Sequence, residues 1–430
     1  MQIAIVGTGH VGLVTGACFA EMGHRVTCAD NDAGKIGALR QRRMPFYEPG
    51  MEELVLRNVD AGRLDFTTDI GQAVDPAEVV FICVGTPQGA GGAADLSYIE
   101  TVSREIAGHI RGYKVIVEKS TVPVQTGVRL QACIERWLKT PADFDVASNP
   151  EFLREGSAIQ DALKPDRIVL GVASERAREV LTRLYAPYNA NLLITDIQSA
   201  ELIKHASNSF LAMKISYINA IAAICEATGA DVEMVARGMG LDTRINRAFL
   251  NAGLGYGGYC FPKDVEAFIR IGQDLNYDFG LLREVQRINL DQRERLVRKI
   301  EKEMWVVKGK PIAQLGISYK PDTDDIRESP AIAIARMLVE RGAVLRIYDP
   351  QAMDHARHSL EGAVFVADPY EAVRGADCLV IATEWREFRE LDLARVKSLM
   401  AQPTVVDGRN LFDPAKMKAL GFTYRCVGRA

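Results

Sequence analysis

The N-terminus reads Met1-Gln2-Ile3-Ala4-Ile5-Val6-Gly7-Thr8-Gly9-His10-Val11-Gly12. An apolar run of strand length leads into G-x-G-x-x-G, and a segment of helix length follows. In that setting the glycines predict a dinucleotide-binding turn at the start of a βαβ unit. Gly7 permits the tight turn, Gly9 lets a pyrophosphate approach backbone N–H groups at the helix start, and Gly12 allows close helix–strand packing. The next strand, Arg25–Ala29, ends in Asp30, 18 residues beyond Gly12. A carboxylate there accepts from both adenosine ribose hydroxyls and repels a 2′-phosphate, which favours NAD over NADP. The cofactor set is therefore Gly7, Gly9, Val11, Gly12 and Asp30. The competing reading is a glycine turn beside a surface aspartate. Lys35 either reaches the pyrophosphate or ribose, or is a solvated helix lysine.

Further along, strand-length runs alternate with amphipathic segments to about residue 195: Ile3–Val6, Val79–Val84, Val115–Glu118 and Ile168–Val172. That rhythm predicts parallel strands with helices on both faces. Ligands bind beyond the carboxyl ends of such strands. Thr86, after Val84-Gly85, and Thr121, after Lys119-Ser120, are thus candidate cofactor contacts, with turn and capping roles as the alternative.

From Ser199 to Thr228 apolar residues recur at helical spacing with neither Pro nor Gly inside. This predicts one helix of about 45 Å. Asp231 is placed to cap the next helix after Gly229, and helical patterning resumes from Asp264 to about Lys302. A second α/β block begins near Lys308, with strands Ile312–Ile317, Val344–Tyr348, Leu379–Thr383 and Thr404–Val406. The expected fold is α/β: two Rossmann-like, doubly wound parallel-sheet domains (1–197 and 301–430), joined by the long helix and a helical middle domain (198–300).

At 430 residues, 48% hydrophobic and 25% charged, the composition is that of a globular protein of several domains. A net charge of −4 suggests no general nucleic-acid or membrane surface. No uninterrupted apolar run approaches the roughly 20 residues needed to span a bilayer. The eight cysteines are scattered, with no C-x-x-C pair and no zinc spacing. No metal is expected, and free thiols point to a reducing, cytoplasmic setting.

One segment stands out: Gly255-Tyr256-Gly257-Gly258-Tyr259-Cys260-Phe261-Pro262-Lys263-Asp264. Glycines allow close backbone approach, and a cation beside a thiol favours the nucleophilic thiolate. The other reading is a tight turn, a packed thiol and an Asp264 N-cap opening a helix.

Asn149-Pro150-Glu151-Phe152-Leu153-Arg154-Glu155-Gly156, Lys204-x-x-x-Asn208, Cys260-Phe261-Pro262-Lys263-Asp264 and Asp322-x-x-Asp325-Ile326-Arg327-Glu328-Ser329 occur here in one order. Together they resemble the nucleotide-sugar dehydrogenases that oxidise UDP-glucose or GDP-mannose, across essentially the whole chain. Phe261 looks like the UDP-glucose members; GDP-mannose relatives more often have Leu. The resemblance implies a four-electron oxidation of UDP-glucose to UDP-glucuronate with two NAD⁺. Oxidation of another nucleotide sugar, GDP-mannose or a UDP-N-acetyl-hexosamine, is the alternative.

Residue roles follow from the same resemblance. Cys260 forms a thiohemiacetal and then a thioester. Lys204 and Asn208, one helical turn apart, stabilise the oxyanion. Asp264 orients water or helps deprotonate the C6 hydroxyl, Glu151 is the base for thioester hydrolysis, and Thr121 helps place that water. Glu155, Lys263 and Arg327 match cofactor contacts. Phe152, Leu153 and Arg154 match a stretch lining the sugar. Gly257, Lys320, Arg409 and Phe249 match residues around the rest of the nucleotide sugar. Arg244 matches an arginine that reaches a partner subunit's site, implying a homodimer or higher even oligomer. Two residues depart from the family pattern: Tyr259 replaces a serine and Gln125 a glycine.

Overall fold

The computed structural model describes residues 1–89 and 92–429. The chain forms two compact units: Met1–Ser207 with Glu266–Asn276, and Asn208–Val265 with Tyr277–Ala430.

In the first unit eight strands form one sheet: β1 (Gln2–Val6), β2 (Arg25–Ala29), β3 (Leu64–Thr67), β4 (Val79–Ile82), β5 (Lys114–Glu118), β6 (Phe144–Ser148), β7 (Ile168–Val172) and β8 (Leu192–Thr195). Their order is β3-β2-β1-β4-β5-β6-β7-β8. Strand alternation explains the two cores. Ile3 and Ile5 join one buried cluster with Val26, Cys28 and Phe81, while Ala4 and Val6 join another with Val80, Ile82 and Ile116. A sheet covered on both faces needs strands that are apolar throughout.

All neighbouring strands run parallel except β6 and β7, which pair antiparallel. Between them the chain forms the six-residue helix Ala158–Leu163, and the antiparallel pairing means that it re-enters the sheet at the end it left.

Among its described residues the second unit has six strands: β9 (Pro311–Leu315), β10 (Val344–Tyr348), β11 (Val364–Phe365), β12 (Cys378–Ile381), β13 (Thr404–Asp407) and β14 (Thr423–Cys426). All pair parallel in the order β11-β10-β9-β12-β13-β14. This repeats the order of β1 to β6.

The long helix is Ile197–Thr228, 32 residues. It is long and apolar enough to cross a membrane by length and composition alone. Yet it buries Glu201, Lys204, His205, Asn208, Ser216 and Asn219 within the protein, as a core helix does. Asp231 caps the helix Val232–Gly240 by accepting from Glu233 N, as its position predicts. Two expectations change. The segment after Gly258 is two helices, Cys260–Asp274 and Gly280–Met304, broken where Asn276 takes φ +58°. Asp264 is not an N-cap, because its helix already begins at Cys260. Pro262 sits in the first turn, where its missing N–H costs no helical bond.

Candidate active site

The glycine turn is built as its spacing predicts. Gly7 has φ +100°, and a Cβ there would lie 2.7 Å from the Cys83 carbonyl oxygen. A Cβ on Gly12 would lie 1.9 Å from the Gly7 oxygen. At Gly9, the N-cap of the helix His10–Glu21, a Cβ would meet no atom within 4 Å. Two glycines are thus demanded by packing, and the third borders open space at a helix N-terminus, where phosphate is favoured. Val11 lies half-buried in the first turn. Asp30 accepts from Thr8 N (2.7 Å), Thr8 Oγ1 (2.8 Å) and Lys35 Nζ (3.0 Å). Burial pushes its carboxyl up, but hydrogen bonds from Thr8, Asp32 and Lys35 outweigh this and hold it below the usual range. An open glycine and an ionised aspartate at this strand end fit NAD. Lys35 is anchored on Asp30.

Thr86 and Thr121 are brought together: Thr86 Oγ1 donates to the Thr121 carbonyl at 2.9 Å. The long helix holds the turn that follows. Glu201 accepts from Gln125 N (2.6 Å) and Gly127 N (2.7 Å), and His205 Nε2 donates to the Val122 carbonyl (2.7 Å). Gln125 has φ +76°, the conformation that explains why glycine is common there.

Lys204 Nζ donates to Glu151 Oε1 at 2.8 Å, with both side chains 5% exposed. Glu151 Oε2 accepts from Leu153 N at 2.6 Å. Phe152 lies under two cations, Arg167 at 3.9 Å and Lys204 at 5.4 Å from its ring centroid. Arg154 points outward in a bidentate pair with Asp161. Glu155 lies half-buried before Gly156, whose N–H donates to Glu48. Behind Glu151, Lys119 Nζ donates to Asn149 Oδ1 at 2.9 Å.

In the second unit Cys260 is half-buried and starts a helix, where free N–H groups favour negative charge. The preceding loop is clamped: Asn289 accepts from Tyr256 N (2.7 Å) and donates to the Tyr256 carbonyl (3.0 Å). A Cβ on Gly257 would lie 2.5 Å from the Glu328 oxygen, so the loop's glycines are also needed to fit protein against protein. Asp264 is buried and accepts from Asn208 Nδ2 (2.6 Å) and Lys263 Nζ (2.7 Å). Tyr259 now has a place, with the Arg327 guanidinium 4.5 Å and the Lys263 ammonium 5.5 Å from its ring centroid. Arg327 also pairs with Asp325.

Arg409 is nearly buried, donating to the carbonyls of Tyr319 (2.7 Å) and Ala382 (2.9 Å). It braces the loop carrying Lys320, whose ammonium lies 5.4 Å from the Tyr319 ring centroid. Phe249 has φ +65° and packs 6.2 Å from Phe261. Arg244 stands apart, 87% exposed and paired with Asp242. Sequence reasoning missed Glu48, Lys119, Glu201, His205 and Asn289. Glu48, Lys119 and Asn289 are lone polar residues, Glu201 and His205 share a helical spacing that names no partner, and only the fold shows what each holds.

Known proteins share this layout. Residues 1–189 match the NAD binding domain of the UDP-glucose/GDP-mannose dehydrogenase family, residues 198–291 its central domain and residues 313–414 its UDP binding domain. A UDP-glucose 6-dehydrogenase of Rhizobium meliloti is 49% identical over 436 residues, covering 100% of both chains. One from Bacillus subtilis is 47% identical, covering 100% of this chain and 93% of the relative. The solved structure of a UDP-glucose dehydrogenase from Pyrobaculum islandicum superposes with a TM-score of 0.93 at 38% identity, covering 100% of this chain and 98% of that one. With its three parts matched in order and relatives this similar along its whole length, the chain belongs to the UDP-glucose/GDP-mannose dehydrogenase family.

Proposed function

We propose that this chain works by covalent catalysis at Cys260. It is an NAD-dependent oxidoreductase that takes UDP-glucose to UDP-glucuronate. The observation that carries the covalent reading is the half-buried Cys260 thiol at a helix start, four residues before a buried Asp264 held by Asn208 and Lys263.

Gly7, Gly9, Val11, Gly12, Asp30 and Lys35 would hold NAD⁺, with Thr86, Thr121, Glu155, Lys263 and Arg327 as further contacts, and the bound cofactor would supply the hydride acceptor for each of the two oxidations at C6. Asp264 takes part in removing the C6 hydroxyl proton. Cys260 Sγ then adds to the aldehyde carbon, a C–S bond forms, and the carbonyl oxygen becomes an oxyanion. Lys204 and Asn208 donate to that oxyanion. The second oxidation leaves a thioester. Glu151 takes a proton from water placed by Thr121, the hydroxide adds to the carbonyl carbon, and the C–S bond breaks to return the thiolate. Phe152, Leu153 and Arg154 contact the sugar. Gly257, Lys320, Arg409 and Phe249 hold the diphosphate and uridine.

In this reading residues 1–197 bind NAD, 198–300 carry Cys260 and meet a second copy, and 301–430 bind the nucleotide. Phe210, Tyr217 and Ile224 support a homodimer: they recur every seven residues on one helix and are 57%, 51% and 58% exposed. In this reading Arg244, 87% exposed, reaches the site of the second copy. The free cysteines favour a cytoplasmic setting.

NADH stoichiometry tests the mechanism. Two NADH per UDP-glucose are expected. One NADH, or turnover only with GDP-mannose or a UDP-N-acetyl-hexosamine, overturns it. Cys260→Ser is expected to block the second oxidation.

A further inference from the structure

Glu48 lies in Tyr47-Glu48-Pro49-Gly50, a segment with no role in the mechanism above. Its side chain is 1% exposed. A carboxylate so deep is tolerated only when its oxygens are hydrogen-bonded, and three donors meet it. His10 Nε2 (2.8 Å) and Gly156 N (2.7 Å) donate to Oε2, and Ala158 N (2.8 Å) donates to Oε1. The donors come from two segments remote in sequence. His10 is the first residue of the helix that Gly9 caps. Gly156 and Ala158 close the loop that begins at Glu151 and carries Glu155.

The base of this bridge is itself fixed. Phe46 packs against the His10 ring with centroids 4.9 Å apart. Gly50, at φ +77°, caps the helix Met51–Asp60, whose first residue is buried. Gly156, at φ +80°, turns its N–H onto the carboxylate. Every atom involved lies in the first unit.

We propose that Glu48 is a positioning residue that ties the Glu151–Ala158 loop to the start of the dinucleotide-binding helix. The loop's carboxylates and the cofactor's phosphates are then held in one frame. The inference rests on reading Gly7–Gly12 as the NAD turn and Glu151 as the hydrolytic base. Hydrogen bonds to an ionised acceptor are strong and directional, and a loop slipping by about 1 Å costs on the order of 100-fold in a positioned reaction.

The test pairs Glu48→Gln with His10→Ala. The first keeps size but replaces one acceptor with a donor facing backbone N–H groups. The second removes the tether to the helix together with the His10 ring's contact with Phe46. NADH binding by fluorescence titration, which needs no turnover, is expected to weaken roughly threefold to tenfold in each variant and no further in the double variant, the coupling expected of one connected bridge. Glu48→Gln is also expected to lower kcat about tenfold or more, with KM for UDP-glucose changing less than about threefold. Additive losses in the double variant, or Glu48→Gln with unchanged kcat, overturn the proposal. If Glu48→Gln does not fold, His10→Ala alone decides: unchanged NADH affinity overturns the bridge. Failure of the covalent mechanism would appear separately, as full NADH stoichiometry in Cys260→Ser.

Discussion

Gln125 places a long side chain in the left-handed region, at φ +76°, which costs about 1–2 kcal/mol for a residue with a Cβ. The hydrogen bond from its N–H to Glu201 holds it there. Glycine would keep that bond and shed the strain, while making the unfolded chain freer by about 0.4–1 kcal/mol. Gln125→Gly is therefore expected to raise stability by up to about 1 kcal/mol in urea denaturation with activity retained. Gln125→Val, β-branched at positive φ, is expected to lower it by on the order of 2 kcal/mol.

Glu118, at the end of β5, is a buried carboxyl whose protonation bears on stability. Burial pushes its carboxyl up to about 8, against opposing hydrogen bonds from Ser120 and with a further rise from Glu201. The folded chain thus holds this proton more tightly than the unfolded chain does. Its contribution to stability is complete below the ordinary value of 4.5 and is lost as pH rises through about 8. Glu118→Gln removes the titration. The variant is expected to lose less stability than the parent between pH 5 and 8, by on the order of a few kcal/mol, in melting curves across that range.

Among elements, the first turns of the long helix do the most. Glu201, Lys204 and His205 recur at helical spacing, and each reaches a different part of the strand-end loops: Gln125 and Gly127, Glu151, and Val122. Lys204→Met would leave Glu151 buried without its cation, which typically costs about 3–5 kcal/mol. Loss of turnover in that variant is therefore expected to come with a clear fall in Tm. An unchanged Tm would mean that the buried pair contributes nothing to folding. The helix itself was legible from its unbroken apolar period, and the paired apolar runs made β1, β2, β4 and β5 legible. The two-residue β11 and the half-exposed β14 lack any run long enough to read. Pro262 made the Cys260 helix look as if it began too late, since proline in a first turn and proline after a break leave the same local signal. Motif spacing marked Cys260, Lys204, Asn208 and Asp264. It did not show that Asp264 binds Asn208 and Lys263 or that Tyr259 stacks with Arg327, because those pairings depend on side chains the fold brings together.

At the scale of the whole molecule, the chain builds one kind of nucleotide turn twice and uses it differently. Gly7 and Gly316 have φ +100° and +97°. Their N–H groups donate to Ala29 and Tyr348, the last residues of β2 and β10, at 2.8 Å each. An aspartate follows each of these strands and accepts from the residue after the glycine, Asp30 from Thr8 and Asp349 from Ile317. The second copy has no counterpart to the open Gly9. Asp349 is fully buried, and its oxygens also accept from Ser318 N and Oγ, Trp385 Nε1, Gln351 N and Ala352 N. A carboxylate surrounded in this way has no lone pair left for a ribose, so its work is structural. The two aspartates are therefore expected to differ in what they do for the dinucleotide. Asp30→Ala removes the ribose acceptor and is expected to weaken NADH binding by about tenfold or more, together with a fall in Tm because the buried Thr8 donors lose their acceptor. Asp349→Ala strands several buried donors and is expected to cost on the order of 3 kcal/mol or more in stability. At temperatures where Asp349→Ala remains folded, its NADH affinity, read by the same fluorescence titration, is expected to equal the parent's. A tenfold loss of NADH affinity in Asp349→Ala would show that the second turn takes the dinucleotide after all.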